Sequence, residues 1–108
     1  MGYGMLVIGA GLMAKSIAYD FGRQEDVDRV VIASLFLQDA KRLVGFLKNR
    51  KAGAVRLDAA DADAASRLMK GADCAVSAVP YYYNYALAGA AVRAGCNFVD
   101  LGGNNDVV

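Results

Sequence analysis

The sequence contains no histidine in 108 residues and only two cysteines, Cys74 and Cys96. Because histidine is the commonest metal ligand and a frequent general base, its absence excludes histidine zinc sites and histidine acid–base catalysis. Two cysteines are too few to complete a zinc site, so we expect no metal centre. We instead expect both cysteines to be buried free thiols.

Long apolar runs and blocks of like charge are also missing. No segment approaches the ~20 consecutive apolar residues of a membrane-spanning helix, and the N-terminal apolar run is too short for a secretory signal. Twelve basic and eleven acidic residues leave a net charge of +1, so we expect no nucleic-acid binding and no membrane contact. With 56% hydrophobic and 21% charged residues, the composition is typical of one ordered α/β domain, which we expect to be cytoplasmic.

The most informative stretch is the segment 5–14, in which an apolar run enters a glycine-rich turn. Residues 5–8 predict a strand buried on both faces, ended by Gly9. Apolar side chains at positions 14, 17, 18 and 21 have helical spacing, which predicts a helix packed against a sheet and capped by Gly22. The predicted unit is therefore a strand, a glycine turn and a helix.

Gly9, Gly11 and Ala14 match the G-x-G-x-x-G/A dinucleotide fingerprint in its alanine form. Gly9 allows the tight turn, Gly11 lets a pyrophosphate approach the backbone, and Ala14 lets helix and strand pack closely. Free N–H groups at the helix N-terminus, at Leu12 and Met13, would bind that pyrophosphate. The alternative is a purely structural turn with no ligand.

The remaining chain predicts four more strands alternating with three helices. The strands are 29–34, 54–57, 74–79 and 97–101. The second helix begins near Asp39 as N-cap and is broken by Gly53; the third is closed by Gly71; the fourth, 84–94, packs through Ala88, Ala91 and Val92. This alternation predicts a Rossmann-type, doubly wound parallel sheet in the order 3-2-1-4-5, with ligands at its carboxyl edge.

Four distant segments should meet at that edge: 9–13, 34–37, 79–83 and 100–104. Ser34 lies 20 positions after Ala14, where the fingerprint expects an acidic residue to bind the ribose hydroxyls. Serine has no charge to repel a 2′-phosphate, so the cofactor is NAD or NADP with a slight preference for NADP. Lys41 and Arg42 are candidate partners of that phosphate, with a solvated helix face as the alternative.

Three further candidates lie at or just after the ends of the third and fourth strands. Asp58 either caps a turn or reaches the adenine edge. Val79 and Pro80, the only proline of the chain, would line the nicotinamide side of the groove. Small neighbours such as Ser77 leave room for a cofactor, although they equally suit tight core packing.

Two other features lie at the same predicted edge. The segment 81–85, which begins with Tyr81, holds four tyrosines. These tyrosines would close over a cofactor or pack against another domain. Asp100 precedes Leu101 and the glycines 102–103, and it either orients a substrate ammonium group or caps the loop.

These segments together resemble the N-terminal domain of the saccharopine dehydrogenase family, and they are most similar to its lysine 6-dehydrogenase and saccharopine dehydrogenase-like branch. The matching segments are 7–13, 56–58, 79–81 and 99–103. The resemblance implies hydride transfer between NAD or NADP and an amino-acid carbon bearing nitrogen, through an imine. Ser34 departs from the acidic residue common in the family, and Ala14 from the glycine of many members.

The resemblance also implies roles for individual residues. It implies pyrophosphate binding for Gly9, Gly11 and Leu12. It implies contact with the nicotinamide side for Val79, Pro80 and Asp100.

Members of this family continue into a substrate and dimerisation domain that these 108 residues lack. We therefore expect residues 1–108 to be a dinucleotide-binding domain that is not catalytic on its own, with its catalytic residues unknown. The alternative is a non-enzymatic nucleotide-sensing or scaffold domain, natural or engineered, whose tyrosine-rich edge binds a partner. Expected partners are the dinucleotide, the missing substrate domain or a second subunit, and a second copy in a homodimer.

Overall fold

A computed structural model describes residues 2–100, in which five strands alternate with four α-helices. The strands are β1 (Tyr3–Ile8), β2 (Val27–Ser34), β3 (Ala52–Arg56), β4 (Cys74–Ser77) and β5 (Asn97–Asp100). The helices are α1 (Leu12–Arg23), α2 (Leu37–Leu47), α3 (Ala62–Met69) and α4 (Asn84–Ala94), and a 3-10 turn, Tyr81–Tyr83, precedes α4. The predicted alternation of strands and helices is confirmed.

All strand pairs are parallel, and the order across the sheet is β3-β2-β1-β4-β5, as predicted. The register aligns the carboxyl ends of the strands. Ile8 pairs with Ala33 on one side and with Ser77 on the other, and Ser77 pairs with Asp100. The loops that follow these residues therefore leave the sheet at one edge.

The core has two layers, one on each face of the sheet, because side chains of β1 alternate between them. Val7 packs with Ala14 and Ala18 of α1 and with Leu43 of α2. Leu6 and its neighbours pack on the opposite face with α3 and α4. Ala14 is fully buried, which fits its predicted role of bringing α1 close to the sheet.

The predicted cap at Gly22 is wrong, because α1 continues to Arg23. The backbone N–H of Gln24 closes the helix by donating to the carbonyl oxygen of Phe21 at 3.1 Å. Gly22 instead allows a close contact with Asn49, whose Nδ2 donates to the Gly22 carbonyl at 2.9 Å. A Cβ at Gly22 would lie 2.7 Å from that nitrogen.

The predicted limits of α2 are also wrong. The helix begins at Leu37, and its N-cap Phe36 makes no side-chain capping bond. Asp39 lies in the first turn, where an acidic side chain favours the helix dipole. The helix ends at Lys48, which adopts a left-handed conformation with φ 49°, whereas Gly53 lies within β3.

The outer helix α4 has its predicted bounds but a different inner face. Leu87, Ala90 and Ala91 are buried, as predicted for Ala91. Val92 is 81% exposed, so its predicted packing is wrong, and Ala88 is half-buried. The buried face of α4 thus consists of one leucine and two alanines, which pack in the same core layer as α3.

Strands β1 to β4 differ from their predicted limits by one or two residues at their ends. β4 ends at Ser77 instead of 79, and one further parallel bond follows, from the N–H of Ala78 to the carbonyl oxygen of Ile8 at 2.8 Å. The predicted end of the fifth strand at position 101 lies outside the described residues.

Cys74 and Cys96 are free thiols, as predicted. Cys96 is buried and Cys74 is half-buried. Burial raises the pKa of the Cys74 thiol, and burial followed by the neighbouring Cys74 and Asp73 raises the pKa of Cys96. Both thiols therefore stay protonated at neutral pH, at the amino edge of the sheet.

Candidate functional site

Gly9 follows β1 at the point where the chain turns into α1. It is buried with φ 122°, a backbone conformation that side-chain-bearing residues rarely adopt. A Cβ at Gly9 would lie 3.0 Å from the carbonyl oxygen of Ala78. The backbone N–H of Gly9 donates to the carbonyl oxygen of Ala33 at 2.7 Å. Gly9 therefore closes the turn against the neighbouring strands.

Gly11 is the N-cap of α1 and lies in open space. No heavy atom is within 4 Å of a Cβ built at this position. The cap makes no side-chain hydrogen bond, and the first turn carries no acidic residue. The first N–H groups of α1, those of Leu12 and Met13, therefore have no cap acceptor, and a helix start of this kind binds anions.

A groove of about 220 Å³ lies at the carboxyl edge of the sheet. It brings together five of the predicted site residues: Gly9, Ser34, Asp58, Val79 and Pro80. Ala10, Leu35 and Tyr83, which belong to the segments predicted to meet at this edge, also line the groove, and its lining is completed by Ile8, Ala33, Leu57, Ala59 and Ala78. Most of these are neighbours of predicted residues, so strand-end position was the available signal.

Ser34 ends β2 and is half-buried at the groove. Its carbonyl oxygen accepts the N–H of Leu57 at 2.8 Å, which ties the ends of β2 and β3 together. The side chain carries no charge. Ser34 therefore presents no charge that would repel a phosphate group at this wall of the groove.

Asp58 serves as a turn cap and also lines the groove. Its Oδ1 accepts the N–H of Ala60 at 2.9 Å, and its carbonyl oxygen accepts the N–H of Asp61 at 2.8 Å. Asp61 then caps α3 by accepting the N–H of Ala64 at 3.0 Å. These bonds hold the Asp58 side chain at one wall of the groove.

The tyrosines of the segment 81–85 divide between the groove and the surface. Tyr83 is half-buried, lines the groove and packs against the core. Tyr81, the tyrosine predicted for the site, is 50% exposed and is not among the groove-lining residues, and Tyr82 and Tyr85 are 66% and 93% exposed. The 3-10 turn packs Tyr83 against the core while its ring centroid stays 4.7 Å from that of Tyr82, and this local geometry carries no sequence signal.

The loop between β4 and α4 is fastened at both ends. Ser77 Oγ donates to Asn84 Oδ1 at 2.6 Å, and this joins the last residue of β4 to the first residue of α4. Ser77 is 1% exposed. The bond holds Val79 and Pro80 beside the glycine turn.

Asp100, Leu12 and Met13 are not among the groove-lining residues. Asp100 ends β5 in register with Ser77, and its side chain is exposed. Leu12 and Met13 begin α1 and are 77% and 57% exposed. The predicted Gly102–Gly103 loop lies outside the described residues.

A second, larger cavity of about 530 Å³ lies between α1 and α2 and shares Ala10 with the groove. The glycine turn contributes Ala10, Gly11 and Leu12, α1 contributes Lys15, and α2 contributes Asp39, Arg42, Leu43 and Phe46. Of the two predicted phosphate partners on α2, Arg42 lines this cavity and Lys41 does not. Lys15 was not predicted as a phosphate partner, because it lies on α1, whereas the predicted partners lie together on α2.

Within residues 2–100 there is neither a side-chain cluster suited to a metal ion nor a membrane-spanning helix. No group of three or more Cys, Asp or Glu side chains there is arranged to hold a metal ion. None of the four helices in that part of the chain is long and apolar enough to cross a membrane.

Solved structures share this fold. Apo saccharopine dehydrogenase (L-Glu forming) from Saccharomyces cerevisiae matches with a TM-score of 0.82 and 23% identity, over 92% of this chain and 21% of that chain. Myo-inositol dehydrogenase from Corynebacterium glutamicum matches with a TM-score of 0.74 and 24% identity, over 93% of this chain and 28% of that one. A short-chain dehydrogenase/reductase from Veillonella parvula in complex with NADP matches with a TM-score of 0.72 and 10% identity, over 93% and 47%.

These likenesses establish the fold, and this chain spans about a fifth of the length of the yeast enzyme. The family is shown by a sequence match. The profile of the family described as the saccharopine dehydrogenase NADP binding domain matches residues 5–107, which is nearly the whole chain. The chain belongs to the saccharopine dehydrogenase NADP-binding domain family.

Proposed function

We propose that this chain is the cofactor-binding part of an amino-acid dehydrogenase of the saccharopine or lysine 6-dehydrogenase type, acting in lysine metabolism. The observation that carries the proposal is the open N-terminus of α1 at Gly11, directly beside the groove at the carboxyl edge of the sheet. A buried glycine turn followed by an uncapped helix start suits a pyrophosphate better than a purely structural connection does.

The cofactor would lie across the switch point between β1 and β4. Its pyrophosphate would accept hydrogen bonds from the N–H groups of Leu12 and Met13, approaching the backbone at Gly11. The adenosine ribose would lie at Ser34, with Asp58 near the adenine. The nicotinamide side would lie against Val79 and Pro80, with Tyr81 and Asp100 as contacts at the outer end. The shared lining of Gly9, Ser34, Val79 and Pro80 supports this placement.

When bound, NADP+ would take up a hydride from the substrate, or NADPH would supply one, and the residues of this chain would hold and orient the cofactor. Hydride transfer also requires a substrate carbon within roughly 3 to 3.5 Å of the nicotinamide. We propose that a substrate domain or second subunit supplies that contact, since the chain covers only 21% of the yeast saccharopine dehydrogenase. Lysine or saccharopine turnover by the 108-residue chain alone would contradict this part of the proposal.

The decisive experiment is a calorimetric titration of the chain with NADP, NADPH, NAD and NADH. We expect saturable binding of one molecule per chain and a slight preference for the phosphorylated cofactors. Circular dichroism on the same sample verifies that the chain is folded. A folded chain that binds none of the four cofactors would refute the proposed function.

The exposed tyrosines favour a second candidate, a nucleotide-sensing or scaffold domain that binds a partner. Tyr82 and Tyr85 are 66% and 93% exposed, a large amphipathic area next to the cofactor groove. The same surface, or the edge of β5, would support a homodimer. Sedimentation at several concentrations tests the dimer, with and without NADP. The free Cys74 and Cys96 thiols support a cytoplasmic location.

A further inference from the structure

The cavity between α1 and α2 carries two cationic side chains from different helices. Lys15 lies in the first turn of α1, and Arg42 lies on α2. The Lys15 Nζ is 3.7 Å from the centroid of the Phe46 ring, which lines the same cavity. This cation–π contact holds the ammonium group at the cavity wall.

Arg42 is only partly engaged by its neighbour. Its Nη1 donates to Asp39 Oδ1 at 3.2 Å, and the two side chains are 78% and 45% exposed. A guanidinium group carries five N–H donors, so most of them remain to bind an anion. An exposed ion pair of this kind contributes little to stability. Arg42 can therefore leave the Asp39 carboxylate and bind a phosphate at little cost in free energy.

The cavity lies beside the proposed position of the adenosine ribose. Ala10 lines both the cavity and the groove, and Ser34 lines the groove. A group leaving the ribose past Ala10 would enter the space between Lys15 and Arg42. The charged groups that line this space are these two cations and one carboxylate, Asp39, a net charge of +1.

From this geometry we infer that Lys15 and Arg42 form the binding site for the 2′-phosphate of NADP, and that Asp39 weakens it. The inference rests on the proposed function. It assigns the phosphate to the space between the two helices, and it gives the neutral Ser34 only a permissive role.

The test compares NADP and NAD affinities of the chain and four variants by calorimetry. Lys15→Gln and Arg42→Gln each remove one cation from the cavity. Lys41→Gln is the matched control, because it removes the same charge from the next position of α2 without touching the cavity. Asp39→Asn removes the opposing carboxylate.

We expect Lys15→Gln and Arg42→Gln each to weaken NADP binding by about tenfold and to change NAD binding by less than about twofold. Lys41→Gln should leave both affinities unchanged. Asp39→Asn should strengthen NADP binding alone, by about threefold at low salt, and this gain should shrink at high salt. The gain of affinity in Asp39→Asn cannot arise from a misfolded chain.

Each other outcome overturns the inference in a recognisable way. Equal losses of NAD and NADP affinity in Lys15→Gln and Arg42→Gln would show that the cations bind the pyrophosphate. NADP affinities that do not change in Lys15→Gln, Arg42→Gln and Asp39→Asn would place the 2′-phosphate elsewhere and leave the proposed function intact. If the unchanged chain binds neither cofactor, both the proposed function and the inference about the 2′-phosphate site are wrong.

Discussion

The two ends of the glycine turn use the same residue type for opposite purposes. Gly9 is buried with φ 122°, and a Cβ there would lie 3.0 Å from the Ala78 carbonyl oxygen. Gly11 is exposed, and a Cβ there would meet no heavy atom within 4 Å. The first glycine is required by the protein's own backbone, whereas the second leaves space that the protein does not fill.

Within three residues, the turn thus contains one glycine that matters for folding, Gly9, and one that matters for binding, Gly11. A side chain at Gly9 would have to displace Ala78, the residue after β4, or strain the turn, so its effect falls on stability. A side chain at Gly11 meets nothing in the protein, so its effect falls on the ligand. The fingerprint therefore combines one position that makes the turn and one that makes the site.

Replacement of Gly9 by alanine should have the largest effect. Backbone strain and crowding against Ala78 should lower the free energy of unfolding by about 3 kcal/mol. Urea unfolding followed by circular dichroism measures this loss. Gly53→Ala is the control, since a Cβ at Gly53 on β3 meets no atom within 4 Å. If the Gly9 and Gly53 variants are equally stable, Gly9 is not required for folding and its contrast with Gly11 does not hold.

Replacement of Gly11 by valine should weaken binding of both cofactors by about a hundredfold, or ~2.7 kcal/mol, because the side chain displaces the pyrophosphate from charge-assisted N–H donors. The free energy of unfolding should change by less than about 1 kcal/mol, the usual range for an N-cap substitution. Calorimetry and urea unfolding of the same sample separate the two effects. Full cofactor affinity in this variant would show that Gly11 does not face the ligand.

Replacement of Ser34 by aspartate should reverse the cofactor preference. A carboxylate at the end of β2 would bond the ribose hydroxyls of NAD and repel a 2′-phosphate, changing the NADP to NAD affinity ratio by about tenfold, or ~1.4 kcal/mol. Gln24→Glu adds the same charge at the amino edge and should leave the ratio unchanged. If both affinities also stay unchanged in the Ser34 variant, the ribose does not lie at β2.

Replacement of Asp61 by alanine should have the smallest effect. Loss of the bond from the Ala64 N–H to the Asp61 carboxylate removes the cap of α3 and should lower the free energy of unfolding by about 1 kcal/mol. Cofactor affinity should stay the same, because Asp61 does not line the groove. A loss of affinity would mean that α3 transmits its stability to Asp58.

Much of this arrangement could be predicted from the sequence, because the carboxyl ends of parallel strands meet at one edge. Apolar runs predicted the strands, their alternation with helices predicted the strand order, and the position at or just after the end of a strand predicted Ser34, Asp58 and Val79. The start of α2 could not be predicted, because its cap residue Phe36 offers no capping side chain. The role of Gly22 was predicted wrongly, because glycine at this position allows a contact with Asn49, which lies 27 positions away in the sequence.

The cavity between α1 and α2 could not be predicted for a related reason. Lys15 and Arg42 come together through the packing of two helices on the sheet, and no periodicity in either helix reports their distance. Tyr83 differs again, since a 3-10 turn of three residues decides which tyrosine lines the groove. Local rules fixed the strands, and packing fixed the neighbours around the site.

The left-handed Lys48 makes the chain suitable for engineering. It ends α2 at the amino edge of the sheet with φ 49°, where glycine avoids the strain of a side chain. A Lys48→Gly exchange would add roughly 1 kcal/mol of stability at the edge opposite the glycine turn. The more stable Lys48→Gly variant could tolerate mutations at the carboxyl edge that would otherwise unfold the protein. It would therefore be a suitable starting point for changing the cofactor specificity.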